Sequence, residues 1–328
     1  MKYKRTQCLY FCGDRFVKTY SDSIEYGIRT VRVPVFYFKG MSYLKNAVAK
    51  KLLGRELALA EVVHLNDVKF LYKFLAQKKA AYKYKLFFPS HGFIFHTKSF
   101  LFLKNLYMKK MSKYSAFYNQ NYCVSENDLN IAKKFDFSNL KILIPGCDVK
   151  KFAGIDAGKF EKNTFLYFGR IAKNKGILEL ARLFNSCKFD FSLKIAGKCD
   201  DDAYFSKINS IAQIDTRIEF LGYKTDGEIK DCIQNSEFLL FPSLHEDFGL
   251  TLVEALASGK KIIANTIESF TQILTSCGLT EFLFDFTKGR VSFLEKIEEL
   301  RKLPARKPNL EKYSVEYMTS LIEKDYIE

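Results

Sequence analysis

Two glutamates with seven residues between them, Glu246 and Glu254, frame the densest chemistry in the chain. Between them runs Asp247-Phe248-Gly249-Leu250, and before them Pro242-Ser243. One carboxylate in a turn and another about a turn into the following helix can aim into one cleft. There each could accept hydrogen bonds from neighbouring hydroxyls, as on a sugar or a ribose. The backbone N–H groups from Gly249 to Leu252 and the positive end of the helix dipole would face an anion, most often a phosphate. Acids at a helix N-terminus can also serve the dipole alone. The flanking Pro-Ser and aromatic-glycine-leucine residues favour the functional reading.

The elements around this stretch must position it. Glu237 to Phe241 is a short apolar run ended by Pro242, a pattern that reads as a buried parallel strand. After Gly249 the spacing turns helical, with Leu252, Val253, Leu256 and Ala257 on one face and Gly259 as a stop. Lys261-Ile262-Ile263-Ala264 is the next strand. In doubly wound sheets, ligands bind at the carboxyl ends of strands, where such turns lie. A second such turn follows the strand Thr164 to Phe168: Gly169-Arg170, then Lys175-Gly176 opening a helix. Arg170 can bind a phosphate bidentately and Lys175 can act as a point charge. The pattern is weak alone and strong beside the pair of glutamates.

The stretch Pro242 to Gly259 resembles the signature of glycosyltransferase family four, retaining enzymes of the GT-B fold, in its bacterial and archaeal surface-glycan type. Asp247 stands where that signature has its first glycine, and Lys260-Lys261 replaces a proline usual after the helix, which removes a rigid turn but no chemical group. Ile144-Pro145-Gly146-Cys147-Asp148 is similar to the family's Ile-Pro-Asn-Gly-Val-Asp linker, one residue shorter and with Cys147 for valine. The resemblance covers residues 85–328 well and the first 60 poorly, where no glycine-rich first turn is found.

The resemblance implies an α/β fold, two Rossmann-like doubly wound domains facing each other across a cleft. Their expected extents are 1–140, an acceptor-side domain shortened at its start; 141–310, a donor domain; and 311–328, a helix packing back on the first domain. It implies a metal-independent hexosyl transfer from a nucleotide-diphosphate sugar, with no further cofactor. Arg170, Lys175, Gly249 and Leu250 would hold the diphosphate, Glu254 the ribose hydroxyls and Glu246 the transferred sugar. His91, in Pro89-Ser90-His91-Gly92 and followed by His96-Thr97, matches a His-Gly turn of the family near a sugar. Glu246 and His91 are thus the expected catalytic residues.

Composition narrows the partners. Residues 1–140 hold 25 Lys and Arg against 9 Asp and Glu, and the remainder 27 against 28. All the excess positive charge belongs to the first half, which implies an anionic partner. Lys98 to Tyr118 is a basic, strongly apolar helical stretch, with Leu103, Tyr107, Met111 and Tyr114 in one stripe and Lys104, Lys109, Lys110 and Lys113 supplying charge. It reads equally as a core helix with solvated lysines or as a contact with anionic lipid.

No apolar run approaches the roughly 20 residues of a bilayer span. Met1-Lys2-Tyr3-Lys4-Arg5 runs into no leader-like apolar core, and the eight cysteines show no C-x-x-C pair. The four histidines lack metal-site spacing, so no metal is expected. The expectation is a cytoplasmic enzyme on the inner membrane face, acting on a lipid-linked or glycan acceptor, with no nucleic acid partner. The rivals are a sugar-nucleotide epimerase of the same fold and a non-catalytic polyanion-binding protein.

Overall fold

The computed structural model describes residues 9–14, 20–25, 28–38, 41–44, 47–66, 71–90 and 101–327. The chain divides into two compact units, Met1–Ile142 and Leu143–Glu328.

The first unit opens with β1 (Leu9–Asp14), β2 (Ser21–Glu25), β3 (Ile28–Phe38) and β4 (Met41–Leu44). β3 pairs in parallel with β1 and antiparallel with β2 and β4. Of these, only β3 is legible in the sequence. β2 reads Ser-Asp-Ser-Ile-Glu, with no apolar alternation. Ion pairs support it instead: Arg29 meets Asp22 at 2.6 Å and Glu56 at 3.2 Å, and Arg32 pairs with Glu25.

Next come α1 (Ala47–Leu59), β5 (Val62–His64), α2 (Leu71–Tyr82), β6 (Lys85–Pro89), α3 (Leu101–Ser112), β7 (Gln120–Cys123), α4 (Glu126–Lys134) and β8 (Leu140–Ile142). β5 to β8 form a parallel sheet in sequential order, each joined to the next through a helix. The core beneath it is aromatic and internally hydrogen-bonded. Tyr72 stacks on Tyr118 with ring centroids 4.1 Å apart, donates to Asn121 Oδ1 and accepts Tyr118 Oη at its carbonyl. Satisfying both hydroxyls removes the penalty that burying them would otherwise carry. Ser125 caps α4 as its position predicts, accepting the Asp128 N–H at 3.3 Å.

α3 corrects the expected stripe. Met108 and Met111 are its buried residues, while Leu103 is 58% exposed. Apolar and basic residues are intermixed round this helix, so its periodicity does not single out one face.

The second unit holds β9 (Thr164–Phe168), α5 (Ile177–Ser186), β10 (Ser192–Ala196), α6 (Asp202–Ile214), β11 (Ile218–Gly222), α7 (Asp226–Asn235), β12 (Phe238–Phe241), α8 (Leu250–Leu256), β13 (Lys261–Ala264), α9 (Glu268–Ser276), α10 (Gly289–Arg301) and α11 (Val315–Ile327). Its sheet is parallel throughout, in the order β11-β10-β9-β12-β13. β9 and β12 are buried at every residue. Phe165, Phe184, Phe238 and Phe293 make a contiguous aromatic centre, and each such side chain contributes about 1.5–3 kcal/mol by its burial.

α11 belongs to this second unit, its entrance fixed by the segment after β8. Cys147 donates to Tyr313 O at 2.9 Å and accepts Val315 N–H at 3.2 Å. A side chain at Gly146 would fall 2.7 Å from Val315 Cα, so the approach requires glycine.

Lys260, read as a neutral replacement for proline, has a larger role. Its side chain is buried, and Nζ donates to Lys159 O at 2.7 Å and Gln234 O at 2.8 Å. The ammonium thereby ties the loop before β9 to the end of α7.

Candidate functional site

The strand order of the second unit reverses between β9 and β12, so the loops after those strands leave side by side at one edge of the sheet. That reversal is where ligands bind in doubly wound folds. The two loops are Gly169 to Gly176 and Pro242 to Gly249, the stretches that carry most of the predicted site residues.

Glycines bring them together. Gly176 has φ +68°, and a side chain there would lie 2.3 Å from Pro242 O. A side chain at Gly197, in the turn after β10, would lie 1.8 Å from Gly169 O. Asn174 then clamps the second loop: its carbonyl accepts Leu244 N–H at 2.8 Å and its Nδ2 donates to His245 O at 3.2 Å. From the other side, Asn265 Nδ2 donates to Ser243 O at 3.0 Å.

Within this frame Lys175 Nζ contacts both oxygens of Glu246, at 2.6 and 2.7 Å, and Ser243 Oγ donates to Oε1 at 2.8 Å. The lysine and glutamate side chains are 17% and 15% exposed, open enough to meet a ligand yet shielded enough for charge to matter. Beneath them Tyr167 is buried and donates to Arg170 O at 2.8 Å, fixing the turn from which Arg170 emerges. The Arg170 side chain is exposed and has no ion-pair partner among the described residues.

Gly249 caps α8 with φ +113°, and a side chain there would strike Phe270 at 2.7 Å. Leu250 begins the helix and is 40% exposed. Glu254 lies about a turn further on, its side chain 20% exposed. Burial, with smaller effects from Asp226 and Asp148, holds its carboxyl above the ordinary glutamate range despite the nearby Lys151. Asp247, at the glycine position of the signature, faces His245 with Oδ1 3.4 Å from Nε2.

The structure thus brings Lys175 and Glu246 into contact and sets Gly249 and Leu250 at the start of the adjacent helix. His91 lies outside the described residues. Sequence reasoning missed Asn174, Ser243 as a Glu246 ligand, Asn265 and Lys151. Asn174 lay in plain view between Arg170 and Lys175, but its role depends on a loop about seventy residues away. Among the described residues, no group of three or more His, Cys, Asp or Glu is placed to hold a metal ion.

This is a doubly wound α/β unit with a charged site at its switch point. A sequence model of the glycosyl transferases group 1 family matches residues 154–317, half of the chain. The chain belongs to that family.

It is 30% identical over 238 residues to the GDP-mannose:cellobiosyl-diphosphopolyprenol alpha-mannosyltransferase of Xanthomonas campestris, covering 70% of this chain and 62% of that protein. The protein of the same name from Komagataeibacter xylinus is 22% identical, covering 74% and 63%. The chain therefore spans about three fifths of the length of these curated relatives. HepE of Anabaena, solved in complex with UDP and glucose, superposes with a TM-score of 0.68 at 15% identity, over 91% of this chain and 86% of that one. Sucrose-phosphate synthase of Thermosynechococcus elongatus gives 0.66 at 15% identity, over 98% and 86%. At such identities the likeness is one of fold, the GT-B type with two Rossmann-like units.

Proposed function

We propose that this chain is a retaining glycosyltransferase that moves a hexose from a nucleotide-diphosphate sugar to a lipid-linked glycan. The observation that carries the reading is the contact of Lys175 with Glu246 at the switch point. It sets a cation for the leaving diphosphate beside a carboxylate for the sugar's hydroxyls.

The difficult charge in such a transfer develops on the departing diphosphate. Lys175, the exposed Arg170 and the N–H groups at Gly249 and Leu250 supply positive charge where it forms, fixed before the reaction begins. Glu246 accepts hydroxyls of the transferred sugar while orienting Lys175, and Ser243 orients Glu246. Glu254 accepts the ribose hydroxyls. A donor bound in this way needs neither a metal nor a further cofactor.

The donor and acceptor classes draw support from named relatives, which use GDP-mannose and a cellobiosyl-diphosphopolyprenol. They also draw on the first unit's charge. α3 presents Leu101, Phe102, Leu103 and Leu106 to the surface, at 48%, 78%, 58% and 57% exposure, with Lys109 and Lys110 exposed in its last turn. An apolar, basic helix face suits an anionic bilayer that carries the acceptor. No helix among the described residues is long and apolar enough to cross a membrane, so a surface contact would supply the association. We place the enzyme at the cytoplasmic face.

The test is a panel of nucleotide sugars led by GDP-mannose and UDP-glucose, each with and without polyprenyl-diphosphate-linked oligosaccharide. Release of nucleoside diphosphate that depends on the acceptor, and an axial or equatorial linkage matching the donor's, is expected. No release with any pair would end the proposal.

A further inference from the structure

Glu254 sits among acids. Asp226 begins α7, and Asp148 lies in the segment after β8; both push the Glu254 carboxyl toward its protonated form, adding to the larger effect of burial. Cys147, in the same segment, is a buried thiol pushed up to about 12, so it stays neutral there. Against these stands Lys151. Its Nζ is 2.9 Å from Asp226 Oδ1 and 3.6 Å from Glu254 Oε1, with the lysine side chain 24% exposed. Burial works against the Lys151 charge, and the hydrogen bond to Asp226 with the charge of Glu254 overcomes it. One lysine thus joins three parts of the second unit: the segment after β8, the start of α7 and the middle of α8.

We infer that Lys151 is a positioning residue of the donor site, tying the Glu254 side chain to the start of α7 and holding it in place for the ribose. The inference rests on the reading of Glu254 as the ribose ligand. Its logic is that a carboxylate offers acceptors on both oxygens, whereas a protonated carboxyl turns one of them into a donor. Lys151 meets Glu254 as an ion pair at 3.6 Å, and no described residue donates a hydrogen bond to the Glu254 side chain within 3.5 Å, so its acceptor capacity is available to a ligand. Without Lys151, Glu254 would remain half-buried between Asp226 and Asp148. It would then take up a proton at a higher pH than before. The phenotype is therefore a nucleotide affinity that depends on pH.

The experiment is calorimetric titration of GDP and of UDP between about pH 6 and about pH 8.5, using wild type, Lys151→Met, Lys151→Arg and Glu254→Gln. Lys151→Met keeps the length and apolar stem of the side chain, and thermal melts establish that each variant is folded. The expected result is that Lys151→Met binds more weakly than wild type, by a factor that grows as the pH falls and shrinks as it rises. Lys151→Arg should keep the wild-type profile, and Glu254→Gln should bind weakly at every pH. A Lys151→Met loss that is flat across pH, or no loss at all, would overturn the inference while leaving Glu254 as the ribose ligand. Wild-type affinity in Glu254→Gln would remove the ribose reading, and the inference with it.

Discussion

Lys175 grips both carboxylate oxygens of Glu246, at 2.6 and 2.7 Å, and so ties the loop after β9 to the loop after β12. The two residues lie 71 positions apart, so the pair forms only when both loops are in place. The pair gives each partner a fixed geometry: the lysine is held at both carboxylate oxygens and gives up its rotamer freedom on folding.

Lys175→Met should lower turnover about 10²–10³-fold, the size expected when one fixed electrostatic contact to a developing anion is removed. Glu246→Gln should also slow the enzyme. The double variant should lose less than the product of the two single losses, because both belong to one hydrogen-bonded unit. Steady-state kinetics on all three variants checks this. Strictly multiplicative losses would mean that the two side chains act separately.

The close approach of the loops gives a prediction of stability. Gly176→Ala places a Cβ 2.3 Å from Pro242 O at φ +68°, whereas Gly154 has φ +80° with nothing within 4 Å. Gly154→Ala should therefore carry only the left-handed backbone strain, about 1–2 kcal/mol. Gly176→Ala must also push the signature loop away, and should lose more stability together with most activity. Thermal melts of the two variants decide it. Equal shifts would show that the loops part without penalty.

Much of this site was legible before any coordinates, because its parts obey local rules. Apolar runs at β9 and β12 are buried at every position, and α8 begins at Leu250, where the spacing turns helical after Gly249. Ser125 caps its helix because a short oxygen side chain before Glu126 can reach the Asp128 N–H. The failures have physical causes as well. Lys151, Asp226 and Glu254 meet only after folding, and one lysine among 52 basic residues carries no local mark. Lys260 read only as the replacement of a proline because sequence alone does not show the two carbonyls that its ammonium meets. β2 went unseen because ion pairs, and no apolar alternation, hold it to β3.

The proposed roles of Arg170 and Lys175, supplying the positive charge that a divalent cation would otherwise bring, predict that activity survives a chelator. Turnover is compared before and after EDTA. Loss of activity that manganese restores would overturn the assignment of those two residues.

Lys260 makes stability depend on alkaline pH. Burial draws its ammonium down to about 8, against about 10.4 in an unfolded chain. Below that window both states are protonated and the native state carries the full penalty. Between about pH 8 and about pH 10.4 the unfolded chain holds a proton that the native chain has released. Stability attributable to this residue therefore rises with pH, by up to about 1.4 kcal/mol per unit. Melting wild type and Lys260→Met in parallel removes the other titrations, and wild type should gain on the variant from about pH 7 to about pH 10. A constant difference would mean that Lys260 stays charged in the folded protein.

The final prediction concerns α3. Residues 1–140 carry 25 basic against 9 acidic side chains, while the rest of the chain is nearly balanced. Charge alone would bring the protein to any polyanion. The apolar residues at the start of α3 argue for a bilayer, since Phe102 at 78% exposure gains nothing from nucleic acid phosphates but gains burial in an acyl boundary. Each basic residue near an anionic surface adds about 1 kcal/mol, so a few of them with one apolar edge suffice for reversible binding. Co-sedimentation should show attachment to anionic vesicles, less to neutral ones, and release as salt rises. Phe102→Ser with Leu106→Ser should weaken binding even at low salt. Replacing Lys104, Lys109, Lys110 and Lys113 by glutamine should abolish the preference for anionic lipid. Neither set touches Met108 or Met111, the helix's buried residues, so the fold should persist in both. Equal attachment to neutral and anionic vesicles, or none to either, would assign the positive charge to a soluble polyanionic acceptor instead.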